Sequence, residues 1–357
     1  MMETRLFGRL GAVSALSFGG GGVGGVYGTV ARAEAVATMR AAVEAGMTLL
    51  DLAPTYGPCE LTPEAELIVG EAFQGRLPEG LRLTSKTMLD DTMPTHSIAA
   101  SIRASLAASV SRLRTERLDI LFLHSYVRPS GMTNASPEVV SIDTVREFIR
   151  PEFERLADDG LIAGWGLTGI GHPDAICDLL TDEVKPAAIQ CVANALDSVG
   201  DMWPFDSPNR PENGRIRATA TGSGVAVMGI RAVAAGALAD HLDRDATATD
   251  PVAVDHRRAR GFRTLAHTKG ISAAELAYRY ALTLPDVSTV IVGETSAACA
   301  ATKALPANTT VIAVRSMVRR FFMTFSCEHS SPAVLSKRCA RCRSCLACVV
   351  IDARSGI

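Results

Sequence analysis

"LLDLAPTYG", Leu49–Gly57, decides how this chain is read. Two leucines bring an apolar strand to its end, the next residue is Asp51, and a short loop then sets Tyr56 beside Gly57. A carboxylate and a phenol do little chemistry alone, so their partners must come from other strands. Two later apolar runs end in the required residue types: "LRLTSK" in Lys86 and "LDILFLH" in His124. Short apolar runs of this kind alternate with longer Ala-rich runs such as "ARAEAVATMRAAVEAG" and "SIAASIRASLAASVSRL". Strand followed by helix, repeated, reads as parallel βα units. The strand candidates number eight, which predicts an α/β fold closed as a (β/α)8 TIM barrel. In such a barrel the carboxyl ends of the strands meet at one mouth. Asp51, Tyr56, Lys86 and His124 are therefore expected around one space.

Composition bounds the function. The chain has 357 residues, 47% of them hydrophobic, and a formal net charge of -2. That is enough apolar material for one large barrel with additions. The charge balance gives no field that would gather nucleic acid or an anionic membrane. Glu3, Arg5 and Arg9 interrupt the first residues, so no secretory leader is expected. No run of about 18 uncharged apolar residues offers a membrane span. Cys59, Cys177, Cys191, Cys299 and Cys327 are scattered, as in a reducing, cytoplasmic protein and not a disulfide scaffold. The expected partner is a small molecule.

The four mouth residues make a coherent device. A free tyrosine has a pKa near ~10, and a nearby ammonium is expected to lower it. An aspartate paired with the lysine keeps that ammonium charged in a poorly solvated place. An imidazole orients a carbonyl oxygen or helps move its proton. Any one of the four alone reads more simply as structural. Four on successive strand ends do not, because burying ionisable groups is costly. One histidine and one carboxylate make a poor metal site.

Local signals fill in the frame. Thr62-Pro63 reads as a cap and first-turn proline for "EAELIVGEAF". Ser272 with Glu275 reads as a capping box. Ser141 or Asp143 starts a long helix that Gly160 stops. Gly19–Gly25 lacks the Gly-x-Gly-x-x-Gly order and reads as a tight first βα turn. Residues 125–140 and 197–214 follow strands and belong on the mouth face, and 240–257 is a third polar insertion. Tyr126, Arg128, Met202, Trp203 and Phe205 lie in the first two.

With these residues in view, the chain resembles the aldo-keto reductase superfamily, as a divergent bacterial-type member. "LFGRLGAVSALSFGGGGVGG", "DLAPTYG", Ser85-Lys86 and "LDILFLH" correspond to the family's opening strands, Asp-x-x-x-x-Tyr-Gly element, lysine and histidine strand. The resemblance implies that Asp51, Tyr56, Lys86 and His124 are catalytic. It implies a barrel over residues 1–310, with a short N-terminal hairpin at about 3–10. It also implies nicotinamide-dependent interconversion of an aldehyde or ketone and the alcohol, with Tyr56 as general acid/base. Thr168 and Gln190 carry over as cofactor ligands at the carboxamide, with Asn194 supporting a loop. Gly169 stands where the family often has asparagine, and Met228 or Ile230 replaces its nicotinamide-stacking ring. Gly293, Thr295 and Ser296 fall where the cofactor's ribose and phosphate are held. Cys299 takes the place of the usual 2'-phosphate arginine and Glu294 adds a negative charge, so NADP and NAD both stay open.

Residues 311–357 read as a C-terminal extension in which Cys339, Cys342, Cys345 and Cys348 recur every third position among basic residues. The run begins like a ferredoxin motif but lacks its x3-Cys-Pro ending, and it lacks the longer loop of common zinc sites. An iron–sulfur cluster, a zinc ion and a reduced helical end with reactive thiols are the readings it allows. Two functional alternatives accompany the main one. The first is an NAD-linked aldose 1-dehydrogenase acting on a sugar. The second is a nicotinamide-binding regulatory or redox-sensor protein with little turnover.

Overall fold

The structure is a computed structural model that describes residues 2–59, 62–133, 136–205, 211–242 and 244–293. An antiparallel hairpin, β1 (Thr4–Leu6) and β2 (Ala12–Ser14), precedes the barrel. β3 (Leu16–Gly19) leads into a single helical turn, α1 (Gly21–Gly24). Then follow α2 (Arg32–Glu44), β4 (Leu49–Asp51), α3 (Glu64–Phe73), β5 (Arg82–Thr87), α4 (Ile98–Leu113) and β6 (Leu118–Leu123). The next loop carries a small parallel pair, β7 (Tyr126–Arg128) and β8 (Val139–Ser141). α5 (Ile142–Thr144), a π-helical stretch (Val145–Ile149) and α6 (Arg150–Asp158) run on as one long segment. β9 (Ile162–Thr168), α7 (Pro173–Thr181), β10 (Ala188–Val192), α8 (Asn213–Gly222) and β11 (Ala226–Ile230) come next. α9 (Pro251–Arg258), α10 (Arg260–Thr268), α11 (Ala273–Leu282) and β12 (Thr289–Gly293) finish the described chain. Eight parallel strands close in the order β3-β4-β5-β6-β9-β10-β11-β12, and β12 returns to β3. This is the expected (β/α)8 barrel. The hairpin is longer than expected because "AVSALSF" divides: Ala12–Ser14 pairs back onto Thr4–Leu6, and only Leu16–Gly19 enters the barrel.

The period of two along each strand sorts side chains between two cores. Leu49 joins Phe7, Val13, Ile120, Phe122, Ala188, Ala226 and Met228 in the lumen. Leu50 joins the larger core between the sheet and its helices. Asp51 therefore returns to the lumen side, one pleat above Leu49. The hairpin contributes Phe7 and Val13 to the lumen, so it plugs the floor of the barrel. Fully burying side chains of this kind stabilises by about 1.5–3 kcal/mol each. Phe122 fills so much of the lumen that β9 has to pass it as glycine. A Cβ on Gly166 would fall on the edge of the Phe122 ring, and 2.9 Å from the carbonyl oxygen of Ala188.

Ser141, Asp250 and Ser272 cap their helices with side-chain oxygens. Ser272 Oγ accepts from the Glu275 amide at 3.1 Å, while the Glu275 carboxylate turns to Arg279 at 2.5 Å. Ser141 Oγ accepts from the Thr144 amide at 3.0 Å and starts the long segment, and Gly160 ends it with φ +74°. Thr62 does not cap α3. Its hydroxyl donates to the Cys59 carbonyl at 2.7 Å and so closes the preceding loop. The cap-and-proline signature belongs instead to Asp250-Pro251, where Asp250 Oδ1 accepts from the amides of Val252 and Ala253 at 2.8 and 3.2 Å. The expected polar insertion at 240–257 thus contains a helix, α9. The Gly-rich turn likewise holds a helical turn, α1, where none was expected.

Gly166→Ala is expected to destabilise the protein by about 1–3 kcal/mol, because the added methyl overpacks the lumen. Denaturant melts of the variant, of Phe122→Leu and of the double variant check this. The double variant should be less destabilised than the sum of the two. Simple additivity would show that Gly166 is not constrained by Phe122.

Candidate active site

The side chain of Lys86 is fully buried, 0% exposed. Its Nζ donates to Asp51 Oδ1 at 2.8 Å and to the Leu52 carbonyl at 2.8 Å. Two further donors reach the same aspartate oxygen, Thr84 Oγ1 at 3.0 Å and Gln190 Nε2 at 2.5 Å. Strand register explains the convergence. Asp51 pairs with Thr84 across β4 and β5, so Lys86 stands two residues higher on the same face. Gln190 arrives from β10, on the opposite wall of the closed sheet. Burial draws the Lys86 pKa below its usual value, against the field and hydrogen bond of Asp51. Behind β5, the fully buried Glu66 accepts from Ser85 Oγ at 2.5 Å and pairs with Arg112 Nε at 2.6 Å. That network braces the strand from outside at the residue next to Lys86.

Tyr56 sits in the loop after β4, and backbone bonds fix its own position. The Tyr56 amide donates to the Ala53 carbonyl at 3.1 Å, and the Ala65 amide donates to the Tyr56 carbonyl at 3.0 Å. A Cβ on Gly57 would collide with the Thr62 carbonyl, and one on Gly24 would lie 3.0 Å from the carbonyl carbon of Tyr56. Lys86 Nζ lies over the Tyr56 ring, 4.6 Å from its centroid. The phenol is held well above its usual range, first by burial and then by the Asp51 carboxylate, with Tyr27 adding to it. The expectation that Lys86 draws this pKa down is corrected. The ammonium is already committed to Asp51 and Leu52, and it meets the ring face.

His124 follows β6, its amide bonded to the Thr87 carbonyl at 2.8 Å. Its half-buried imidazole meets the Tyr56 ring edge-on, with centroids 6.2 Å apart. Burial, and then the Lys86 ammonium, push its pKa down to about 3. The ring is therefore neutral at any working pH and offers a hydrogen bond, not a positive charge.

The expected cofactor ligands divide into three groups. Thr168 ends β9 buried, 4% exposed, and its hydroxyl has no hydrogen-bond partner among the described residues. Gln190 turns its amide nitrogen to Asp51, as above. Gly293 ends β12 exposed, with none of the described residues near the position of a Cβ. Thr295, Ser296 and the cysteines 339, 342, 345 and 348 lie outside the described residues. Among the described residues no group of His, Cys, Asp or Glu is arranged to hold a metal ion. No described helix is long and apolar enough to cross a membrane. Gly169 admits no asparagine, since a Cβ there would lie 2.6 Å from the Gln190 carbonyl oxygen. Met228 is packed in the lumen with Phe7 and Phe122, so Ile230 is the one that reaches the mouth. Asn194 supports its loop: Oδ1 accepts from the amides of Leu196 and Ser198 at 3.2 Å each, and Nδ2 donates to the Ser198 carbonyl at 2.9 Å.

The mouth loops form one wall. Tyr126, Met202, Trp203 and Ile230 pack on Ile170, Val192 and Val199. Trp203 meets Phe205 edge-on at 5.1 Å between centroids. Arg128 turns aside to Asp91 at 3.0 Å. The sequence reading missed Thr84, the Glu66 network, and a pair formed by Arg231 Nη2 and Asp201 Oδ1 at 2.8 Å. Thr84 and Arg231 carried a signal: one lies two residues before Lys86 on the same strand face, and the other follows the end of β11.

Comparison with known proteins bears on the family and the fold. The profile of the Aldo/keto reductase family matches residues 15–304. The chain is 26% identical over 308 residues to the L-galactose dehydrogenase of Arabidopsis thaliana, covering 83% of this chain and 85% of that one. Its fold is similar to a holo-form aldo-keto reductase from Bacillus halodurans, with a TM-score of 0.67, 21% identity, and 90% and 96% of the two chains covered. It is also similar to an aldo-keto reductase from Klebsiella pneumoniae in complex with NADPH, with a TM-score of 0.58, 20% identity, and 90% and 95% covered.

The depressed His124 pKa makes a prediction about stability. The unfolded chain takes up a proton on this imidazole near its usual 6.5, whereas the folded chain does so only near about 3. Its contribution is complete above the unfolded value and is lost as pH falls from about 6.5 towards 3, by at most ~1.4 kcal/mol per pH unit. Urea melts between pH 5 and 7 should show a shallower pH slope for His124→Gln than for the parent. Identical slopes would mean that the imidazole titrates freely in the folded protein.

Proposed function

The chain belongs to the aldo/keto reductase family, and from that premise we propose that its mouth interconverts a small aldehyde or ketone and the alcohol, with NADP or NAD as hydride carrier. The supporting observation is the set formed by Asp51, Lys86, Tyr56 and His124, each within reach of the next around one strand-end space. The partnerless hydroxyl of Thr168 beside Gln190 is the feature that fits a nicotinamide, because a carboxamide is both donor and acceptor. When bound, the nicotinamide supplies the hydride in reduction and takes it in oxidation.

The chain's own residues handle the proton. In reduction Tyr56 donates its phenolic proton to the carbonyl oxygen as the carbon gains hydride, and a solvent proton restores the phenol. Oxidation runs the same transfers backwards, with the phenolate as base. The raised pKa keeps Tyr56 protonated at neutral pH, which suits a donor. The Lys86 ammonium lies over the ring, 4.6 Å from its centroid. Asp51 keeps that ammonium in place and charged. Neutral His124 donates an N–H to the carbonyl oxygen and orients it. Thr168 and Gln190 hold the carboxamide, and Gly293, Thr295 and Ser296 take the ribose end. A barrel over 1–310 and a separate tail over 311–357 remain the proposed division of the chain. The similarity to an L-galactose dehydrogenase supports an aldose, oxidised at its anomeric carbon, as one substrate class.

Tyr56→Phe is expected to lower kcat by about 10²–10⁴-fold while the cofactor dissociation constant, read by fluorescence with NADPH and NADH in parallel, stays within threefold. Oxidation by the parent should rise with pH and show no plateau below about pH 10, because it requires the phenolate. Parallel losses of cofactor affinity and turnover would remove Tyr56 from the proton step. Tight cofactor binding without turnover on a panel of aldehydes, ketones and aldoses would favour the sensor reading.

A further inference from the structure

The turn after β11 carries unusual backbone. Arg231, Ala234 and Ala235 all adopt left-handed conformations, with φ of 54°, 49° and 53°. Such backbone is strained for a non-glycine residue and persists only where surrounding contacts hold it. Here the holder is Asn194, 4% exposed, whose Nδ2 donates to the Arg231 carbonyl at 3.2 Å and to the Ser198 carbonyl at 2.9 Å. Ser198 in turn donates to the buried Asp255 of α9 and accepts from the Gly200 amide at 3.0 Å. Gly200 has φ +61°, and a Cβ there would lie 3.0 Å from Arg231 Nη2. A chain of buried polar groups thus fixes both backbones that carry the Arg231–Asp201 pair.

The pair itself is placed at the mouth. Tyr126 lies in the electrostatic field of both Arg231 and Asp201, and Tyr56 lies in the field of Tyr126. Ile230, the residue before Arg231, packs in one cluster with Tyr126, Met202 and Trp203. Arg231 keeps 16% of its side chain exposed and Asp201 keeps 50%, and Arg231 Nε has no acceptor among the described residues.

We propose that Arg231 and Asp201 form a hydroxyl-reading subsite that selects polyhydroxylated carbonyl substrates, aldoses in particular, against the aromatic wall of Tyr126 and Trp203. The chemistry follows from the two groups side by side. The guanidinium offers only donors and the carboxylate only acceptors. A hydroxyl is both, so a vicinal diol satisfies the two partners together without separating them. A carboxylate-bearing substrate satisfies only Arg231 and would have to displace Asp201 from it. The half-buried rings give the apolar C–H face of a sugar a surface to lie on. This inference rests on the hydride-transfer reading above and names its substrate class.

The test compares Arg231→Gln and Asp201→Asn with the parent on three substrates: L-galactose, butanal and succinic semialdehyde. Both substitutions are expected to lower the ratio of kcat/KM for galactose to that for butanal by ten- to hundred-fold, mostly through KM. Equal losses on galactose and butanal would make the pair a structural brace. A loss on succinic semialdehyde with Arg231→Gln, paired with a gain with Asp201→Asn, would make the site an anion subsite; either result overturns the proposal. Calorimetric titration of the cofactor-loaded protein with L-galactose separates this inference from the reading beneath it. Sugar binding that both variants lose, with no turnover by the parent, keeps the subsite and rejects the enzyme. Turnover of butanal by a parent that neither binds nor turns over galactose keeps the enzyme and rejects the subsite.

Discussion

An ammonium with no exposed surface is the constraint from which the rest of this site follows. Lys86 in the barrel lumen carries a charge that burial opposes. Desolvating such an ion costs several kcal/mol unless its donors find acceptors in good geometry. Asp51 and the Leu52 carbonyl supply two of them at 2.8 Å. Asp51 can do so only because Thr84 and Gln190 hold its oxygen from two different walls. Removing any of these partners would leave a buried charge uncompensated. The pair is therefore costly as a stabilising element and informative as a functional one. Burial first, and then the Asp51 carboxylate that the phenol also faces, keep the Tyr56 pKa high.

The lumen that holds this charge is stacked in layers with opposite demands. The lower layer is apolar and tight, with Phe7, Phe122 and Met228 all at 0% exposure. Its tightness reaches into β9, where glycine is required opposite Phe122. The upper layer is polar, and there β9 presents Thr168 without a partner. One strand thus changes from steric to hydrogen-bonding duty within two residues. The floor makes the polar layer dry, which strengthens every electrostatic interaction above it.

Sequence carried the barrel and the strand-end residues because both depend on local regularities. A period of two places Asp51 above Leu49, and alternation of runs gives the strand count. What sequence hid depends on contacts between distant segments. Phe7 belongs to the hairpin in sequence but to the lumen in space. Thr62 and Asp250 both precede proline, yet only Asp250 caps a helix, because the Thr62 hydroxyl finds the Cys59 carbonyl first. The helices α8, α9 and α10 were concealed by polar composition. Their buried faces are narrow, resting on residues such as Ile216, Val252 and Phe262. The direction of the Tyr56 shift was not legible either, since it turns first on how deeply the phenol is buried and then on its nearness to Asp51.

On the proposed reading, the site separates chemistry from selection by where each is anchored. The proton-handling groups rise from β4, β5 and β6 or from the loops that follow them, and they are locked by strand register. The Arg231–Asp201 pair rises from loops after β10 and β11, and it is locked by side chains, Asn194 and Ser198 above all. Strand register cannot change without moving every neighbouring residue to the other face of the sheet. A loop held by two side chains can be rebuilt by changing those two. Strained backbone at residues 231–235 fits that division, because a left-handed arginine is tolerable only where a dedicated partner such as Asn194 fixes it. The Arg231–Asp201 pair is thus placed where substitution leaves the buried ammonium undisturbed.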